Sequence, residues 1–137
     1  MPVWRIKILL FLLPLLLFAG GCGMKKTGSE KIRDLDFTVL KEEEIPEKLM
    51  EEIEKKKEDD FKMSYTLDDY LYIVRGFGMQ ETGGYSIQVQ EVYLTENAVY
   101  FDADLIGPKS GEVQEKVVSY PYIVVKVQRQ EENVVFE

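Results

Sequence analysis

A two-residue alternation of apolar and polar side chains in the second half of the chain constrains this fold most. Five segments between Phe61 and Val127 show it, and all eight tyrosines lie there, between Tyr65 and Tyr122. A two-residue period places successive side chains on opposite faces of a β-strand, whereas a helix needs a period of about 3.6 residues. Short connections between such segments favour antiparallel pairing. The sequence therefore predicts an α+β fold: a mainly antiparallel β-sheet or small sandwich with one N-terminal amphipathic helix.

Turn residues and one change of phase set the limits of the predicted strands. Residues 67–69 (Leu-Asp-Asp) predict a hairpin turn, and residues 96–97 (Glu-Asn) predict a second turn. The alternation shifts by one residue near Gln90-Glu91, where we expect a β-bulge. Residues 120–127 are almost continuously apolar, which predicts a central strand or burial on both faces.

One segment of the chain carries the helical period instead. Ile45, Leu49 and Ile53 recur at every fourth residue, and Met50 widens this apolar stripe. Pro46 suits the first helical position, because its missing N–H would have no partner there. We therefore expect a helix over residues 46–57, with its stripe packed on one face of the sheet. Before it, residues 35–40 predict a short strand.

The first residues have the order of a secretory signal. Two basic residues come first, an apolar run of 12 residues (8–19) follows, and small residues precede Cys22. The run is shorter than the roughly 20 residues of a spanning helix, and Pro14 interrupts it. Small residues before a cysteine resemble the lipobox of bacterial lipoproteins, which implies that Cys22 is acylated, with palmitate as one expected chain. An uncleaved anchor or a plain secretory signal is the alternative.

Composition and periodicity together divide the chain into five parts. They are a lipoprotein signal peptide (1–21), a lipidated N-terminus and flexible tether (22–36), a short strand and helix (37–60), a β-rich domain (61–128) and a polar C-terminal tail (129–137).

The residue types present exclude several kinds of chemistry. The 137 residues include no histidine and one cysteine, so imidazole-based catalysis, imidazole metal ligands and an intramolecular disulfide are excluded. A formal charge of −8 argues against nucleic acid, because its phosphates would be repelled. Asp102 and Asp104 share one predicted strand face without any accompanying ligand pattern, and we interpret them as a charged outer face. We expect no enzymatic activity, no cofactor and no metal site.

A glycine-rich connection lies between two predicted strands. Residues 76–84 contain four glycines. No predicted helix follows them and no lysine accompanies them, so they are not interpreted as a phosphate-binding loop. One interpretation is a wide β-connection that needs glycine conformations. The other is a partner-binding loop, in which glycines allow close backbone approach and two apolar side chains act as anchors. The residues of such a loop would be Phe77, Met79, Thr82, Gly83, Gly84 and Tyr85.

The same region resembles a known family. The motif TGGYSI at 82–87, the pair Gly107-Pro108 and the motif YPYIVVK at 120–126 are similar to the PrcB C-terminal domain family. The family is named after a lipoprotein associated with a cell-surface serine protease assembly, and the likeness covers about residues 70–127. The resemblance implies an envelope interaction module without known catalytic residues.

Two functions follow from these observations. The first is a non-catalytic bacterial envelope lipoprotein, held outside the cell membrane by acylated Cys22, that binds an envelope protein; an extracellular protease is one candidate partner. The alternative is a peptidase inhibitor that inserts the loop 76–84 into a cleft. Residues 82–85 (Thr-Gly-Gly-Tyr) resemble the Thr-Gly-Tyr-bearing loop of chagasin-type peptidase inhibitors.

Overall fold

Eight strands, one α-helix and one 3-10 helix are formed by residues 30–110 and 116–137, the parts of the chain that the computed structural model describes. The predicted signal peptide, Cys22 and the beginning of the predicted tether lie outside these ranges. In chain order the elements are β1 (Arg33–Asp34), β2 (Phe37–Val39), the 3-10 helix (Glu42–Glu44), α1 (Glu47–Lys56), β3 (Asp60–Leu67), β4 (Tyr70–Phe77), β5 (Ser86–Leu94), β6 (Ala98–Ile106), β7 (Tyr122–Gln128) and β8 (Asn133–Phe136).

The strands form two four-stranded sheets. Sheet A has the order β1-β5-β6-β8, and sheet B has the order β2-β7-β4-β3. Neighbouring strands are antiparallel, except that β8 runs parallel to β6. The prediction of a mainly antiparallel β fold with one helix is therefore confirmed for the described residues. The long strands β5 and β6 of sheet A alternate in burial over most of their length, as expected where one face of a sheet is covered.

One hydrophobic core lies between the sheets, so the fold is a sandwich. Phe101 of β6 is its largest fully buried side chain, and β4 and β7 contribute from the opposite sheet. Val92 of β5 and Val99 and Ala103 of β6 are buried while Asp104 is exposed, as the two-residue alternation of apolar and polar side chains requires. Burial of these apolar side chains is the main stabilising contribution.

Helix α1 covers the other face of sheet B. Leu49 and Ile53 are fully buried there, against Val74 of β4 and Val124 of β7. β7 is therefore buried on both faces, which confirms the prediction made from its continuous apolar run. The covering helix also explains why β4 is apolar at four successive positions from Leu71.

The predicted turns and bulge are present. β3 and β4 pair along their whole length, and Asp68 in their turn has a φ of +55°. The register of β5 against β6 shifts between Val89 and Glu91, as a β-bulge requires. Thr95 closes the next turn, since its hydroxyl accepts hydrogen bonds from the N–H groups of Asn97 and Ala98.

Both ends of the described chain are more ordered than the sequence predicts. The expected flexible tether extended to residue 36, but β1 lies within it and Leu35 is buried between the sheets. The expected polar tail 129–137 contains β8. The ring of Phe136 in this strand packs edge-on against the ring of Phe101, with 5.7 Å between the ring centroids. Both segments pair with sheet A because each offers a few apolar side chains to an otherwise open edge.

The strands give the sandwich two distinct ends. The end that holds Arg33, Asp69 and Arg129, named here the proximal end, is where the described chain begins. The opposite end, the loop end, holds the β4–β5 connection and the start of β7. β5 joins them, and its nine residues span about 27 Å.

Candidate functional site

The connection between β4 and β5, which contains the predicted partner-binding residues, is held by hydrogen bonds at the loop end. Gln80 and Ser119 form a two-way backbone bridge, with N···O distances of 2.8 and 3.0 Å. The Ser119 hydroxyl donates to the carbonyl of Thr82 at 2.7 Å, and the N–H of Met79 donates to the carbonyl of Glu58 at 3.2 Å. The loop backbone is thus anchored on two neighbouring segments rather than free.

The glycines of this loop have different physical roles. Gly78 has a φ of +75°, and a Cβ placed on it would lie 3.0 Å from the backbone nitrogen of Asp60. Gly84 also adopts a positive φ, of +87°. Gly83 has neither a positive φ nor a close neighbour, because a Cβ there would meet nothing within 4 Å. Gly78 and Gly84 are therefore required by the fold, whereas Gly83 is not.

Phe77 and Met79 do not occupy equivalent environments. Phe77 is half-buried beneath the guanidinium of Arg75, whose carbon lies 4.1 Å from the ring centroid. An ion pair of 2.8 Å to Asp60 holds that guanidinium in place. Met79 is 53 % exposed, so its thioether side chain remains open to solvent. Of the two predicted apolar anchors, only Met79 is presented outward.

Two further exposed apolar side chains, which the sequence did not single out, lie on the segment that bridges to the loop at Ser119. Val117 and Val118 are 61 % and 46 % exposed, and the bridge at Ser119 brings their segment alongside the loop. Together with Met79 they form what we name the loop patch. In the sequence they are two adjacent valines before a serine, in a long polar connection. Periodicity cannot distinguish such a pair from the start of a strand.

A shallow groove of about 260 Å³ lies at the loop end, between the start of β5 and the start of β7. Tyr85 lines it from sheet A, and Pro121 and Tyr122 line it from sheet B. Burial raises the pKa of the Tyr122 phenol, nearby Glu42 and Glu54 raise it further, and Lys57 opposes them. The predicted residues Thr82, Gly83 and Tyr85 thus lie near one another at the loop end, at the margin of this groove.

Asp102 and Asp104 lie on the outer face of sheet A, where Asp104 accepts a 3.0 Å hydrogen bond from the amide of Gln90. Within residues 30–110 and 116–137, no three metal-capable side chains cluster. In the same ranges no helix is both long and apolar enough to cross a membrane.

Comparison with known proteins gives one match. A family model described as PrcB C-terminal matches residues 71–128, which run from β4 through the loop to the end of β7. No curated protein and no solved structure matches the chain. The matched segment includes the loop, Ser119 and both strands at the centre of sheet B, so the predicted resemblance to the PrcB C-terminal domain family is confirmed over residues 71–128.

Proposed function

We propose that this protein is a non-catalytic envelope lipoprotein that binds another envelope protein through its loop end. Acylated Cys22 would hold it on the outer side of the cell membrane. The described chain begins at the proximal end, about 27 Å from the loop along β5. A membrane anchor at the N-terminus would therefore leave the loop end facing outward, where a partner can approach.

The exposure of Met79 on an anchored backbone is the observation that carries this proposal. Its neighbours Gln80 and Thr82 are fixed by hydrogen bonds to Ser119, so little backbone freedom is lost when a partner binds. Met79, Val117 and Val118 would supply apolar contacts, and methionine adapts to irregular partner surfaces. An exposed apolar patch on a rigid support is typical of a protein–protein contact.

Peptidase inhibition is a second candidate for the same loop. An inhibitor must present a loop that keeps its shape in the cleft, and the bond from Ser119 to the Thr82 carbonyl supports the tip of this one. Gly83 would then allow the backbone close to the peptidase, since nothing occupies the space around its Cβ position. In this case the partner is an extracellular peptidase whose activity falls on binding.

Site-specific photo-crosslinking in intact cells tests the contact. A photoreactive residue at Met79 or Val118 should crosslink to the same envelope protein. A photoreactive residue at Ile32 should not, because Ile32 is equally exposed but lies at the proximal end. With the purified partner, Met79→Ala should weaken binding roughly tenfold or more, and Ile32→Ala should leave it unchanged.

The outcomes separate the candidates. A crosslinked peptidase that loses activity when the chain is added identifies an inhibitor, and one that keeps its activity identifies a binding module. Equal crosslinking from Met79, Val118 and Ile32 would contradict a contact through the loop end.

A further inference from the structure

The proximal end carries a groove that the proposed function does not use. It encloses about 550 Å³ and is lined by Arg33, Asp69, Tyr70, Gln128, Arg129 and Gln130. All six side chains bear hydrogen-bonding groups, and two of them are guanidiniums. We propose that this groove binds a phosphate-type oxyanion between Arg33 and Arg129.

The fold brings these two arginines together from different sheets. Arg33 lies in β1 opposite Leu94, at the edge of sheet A. Arg129 follows β7 of sheet B, and its backbone N–H donates to the carbonyl of Asp69 at 3.0 Å. Its guanidinium also donates to the carbonyl of Asp68 at 3.1 Å. Two guanidiniums that line one groove can bind an oxyanion through several charged N–H donors.

The local charges leave capacity for an anion. Among the described residues Arg33 has no ion-pair partner, although the chain as a whole carries a formal charge of −8. The ion pair of Arg129 with Glu131 is long, at 3.7 Å, and both side chains are largely exposed, so it competes weakly. Asp69 is the single carboxylate that lines the groove. Lys126 adds a third cation nearby, with its Nζ 4.4 Å from the ring centroid of Tyr70.

Two sources could supply such an oxyanion: a phospholipid headgroup or a soluble phosphate compound. Cys22 lies 11 residues before Arg33, and an extended chain of that length reaches at most about 40 Å. If Cys22 is acylated, as the proposed function holds, headgroup phosphates are within reach of the groove. Planar guanidinium forks match the oxygen geometry of both sources.

A phosphate titration followed by NMR tests the site on the full chain in nonionic detergent. Inorganic phosphate should shift the side-chain Nε signals of Arg33 and Arg129 saturably. Arg33→Gln and Arg129→Gln should each weaken phosphate binding roughly tenfold. Arg33→Lys should weaken it less, because it keeps the charge but loses the fork. Lys48→Gln removes one positive charge from the exposed face of helix α1 and should leave the phosphate affinity unchanged.

The same titration in lipid nanodiscs identifies the source. A loss of phosphate affinity in discs that contain phosphatidylglycerol means that headgroups occupy the groove, whereas unchanged affinity means a soluble oxyanion. The absence of saturable shifts at both arginines, or equal weakening by Lys48→Gln, would overturn the proposal. The crosslinking experiment at Met79 tests the loop end, at the opposite end of the sandwich. Its outcome and the outcome of the phosphate titration are therefore independent.

Discussion

At the scale of single residues, exposure is set by neighbours that lie far away in sequence. Val99 and Phe101 lie in the core and Asp104 lies outside it, in agreement with the alternation, because a two-residue period by itself assigns faces. The same reasoning treated Phe77 and Met79 alike. They differ because Arg75, held by Asp60, covers one ring and leaves the other side chain open. Arg75 is only two residues from Phe77, but Asp60, whose ion pair holds the guanidinium there, lies 15 residues away.

This difference predicts opposite behaviour of two alanine variants. Phe77→Ala should lower the free energy of unfolding by about 1–2 kcal/mol, through lost burial and the lost contact with Arg75. Met79→Ala should change it by no more than about 0.5 kcal/mol, because Met79 is exposed. Urea unfolding of both variants provides the measurement. A Phe77→Ala protein of unchanged stability that loses its partner would instead make Phe77 a contact residue.

The two glycine environments predict a second contrast. Gly78→Ala should destabilise the fold by about 1–3 kcal/mol, since its φ is positive and the new Cβ would press on Asp60. Gly83→Ala should leave stability unchanged or raise it by up to about 1 kcal/mol, because it only restricts the unfolded chain. Thermal unfolding midpoints distinguish these cases. Similar destabilisation by both substitutions would show that Gly83 also has a structural role.

At the scale of elements, the long periodic segments could be predicted, whereas of the three short strands only β2 lay within a predicted strand. The helix, the β3–β4 hairpin and the bulge in β5 each rest on several residues in register. β1 has two residues and β8 has four, which is too few for a period to be recognised. Their pairing with sheet A depends on an open edge that only the assembled sheet provides.

The docking of α1 on sheet B gives an element-scale prediction. Leu49→Asp should cost about 3–5 kcal/mol, because it loses a fully buried side chain and places a charge against Val74 and Val124. The matched variant Lys48→Asp lies on the exposed face of the same turn and should cost less than about 1 kcal/mol. Urea midpoints report both. Equal midpoints for the two variants would mean that the helix is not docked in solution.

Tyr122 of β7 makes stability depend on alkaline pH. Burial raises the pKa of its phenol in the folded state, so the fold favours the neutral form. Stability is fully present below the unfolded pKa of about 10 and falls as the pH rises through the folded pKa. Tyr122→Phe should reduce this fall, measured as the change in urea midpoint between pH 9 and pH 11. Part of the fall should remain in this variant, because the pKa values of Tyr72 and Tyr93 are also raised. An identical fall in both proteins would contradict the assignment.

At the scale of the whole molecule, the sequence predicted buried faces and a helix packed on one of them, but not whether a second sheet covers the other. A period of two marks an inward face equally well in a single sheet and in a sandwich, so both remained open. The structure contains two sheets because β5 and β6 bury their inward faces against β4 and β7. The loop patch shows the same limit, since Val117 and Val118 join Met79 only through the tertiary bridge at Ser119.

The proposed lipid anchor is tested on the intact protein. Cys22→Ala should release the protein from the membrane fraction or leave an unprocessed precursor, because the acylated sulfur is lost and Cys22 would no longer direct cleavage. Fractionation and the mass of the N-terminal peptide measure both effects. A Cys22→Ala protein that is processed and membrane-bound like the parent would contradict the lipoprotein proposal.

The pairing of β1 with β5 has a mechanical consequence for a protein held at one end and bound at the other. Arg33 lies opposite Leu94, whereas the loop joins β5 at Ser86, so pulling from these two points stretches the strand pair along its length. Hydrogen bonds loaded in this direction share the tension at once instead of breaking one after another. Leu35, buried between the sheets, would have to leave the core before the tension reached the rest of the fold. The short segment 31–39 would therefore yield first under tension, before the loop end unfolds.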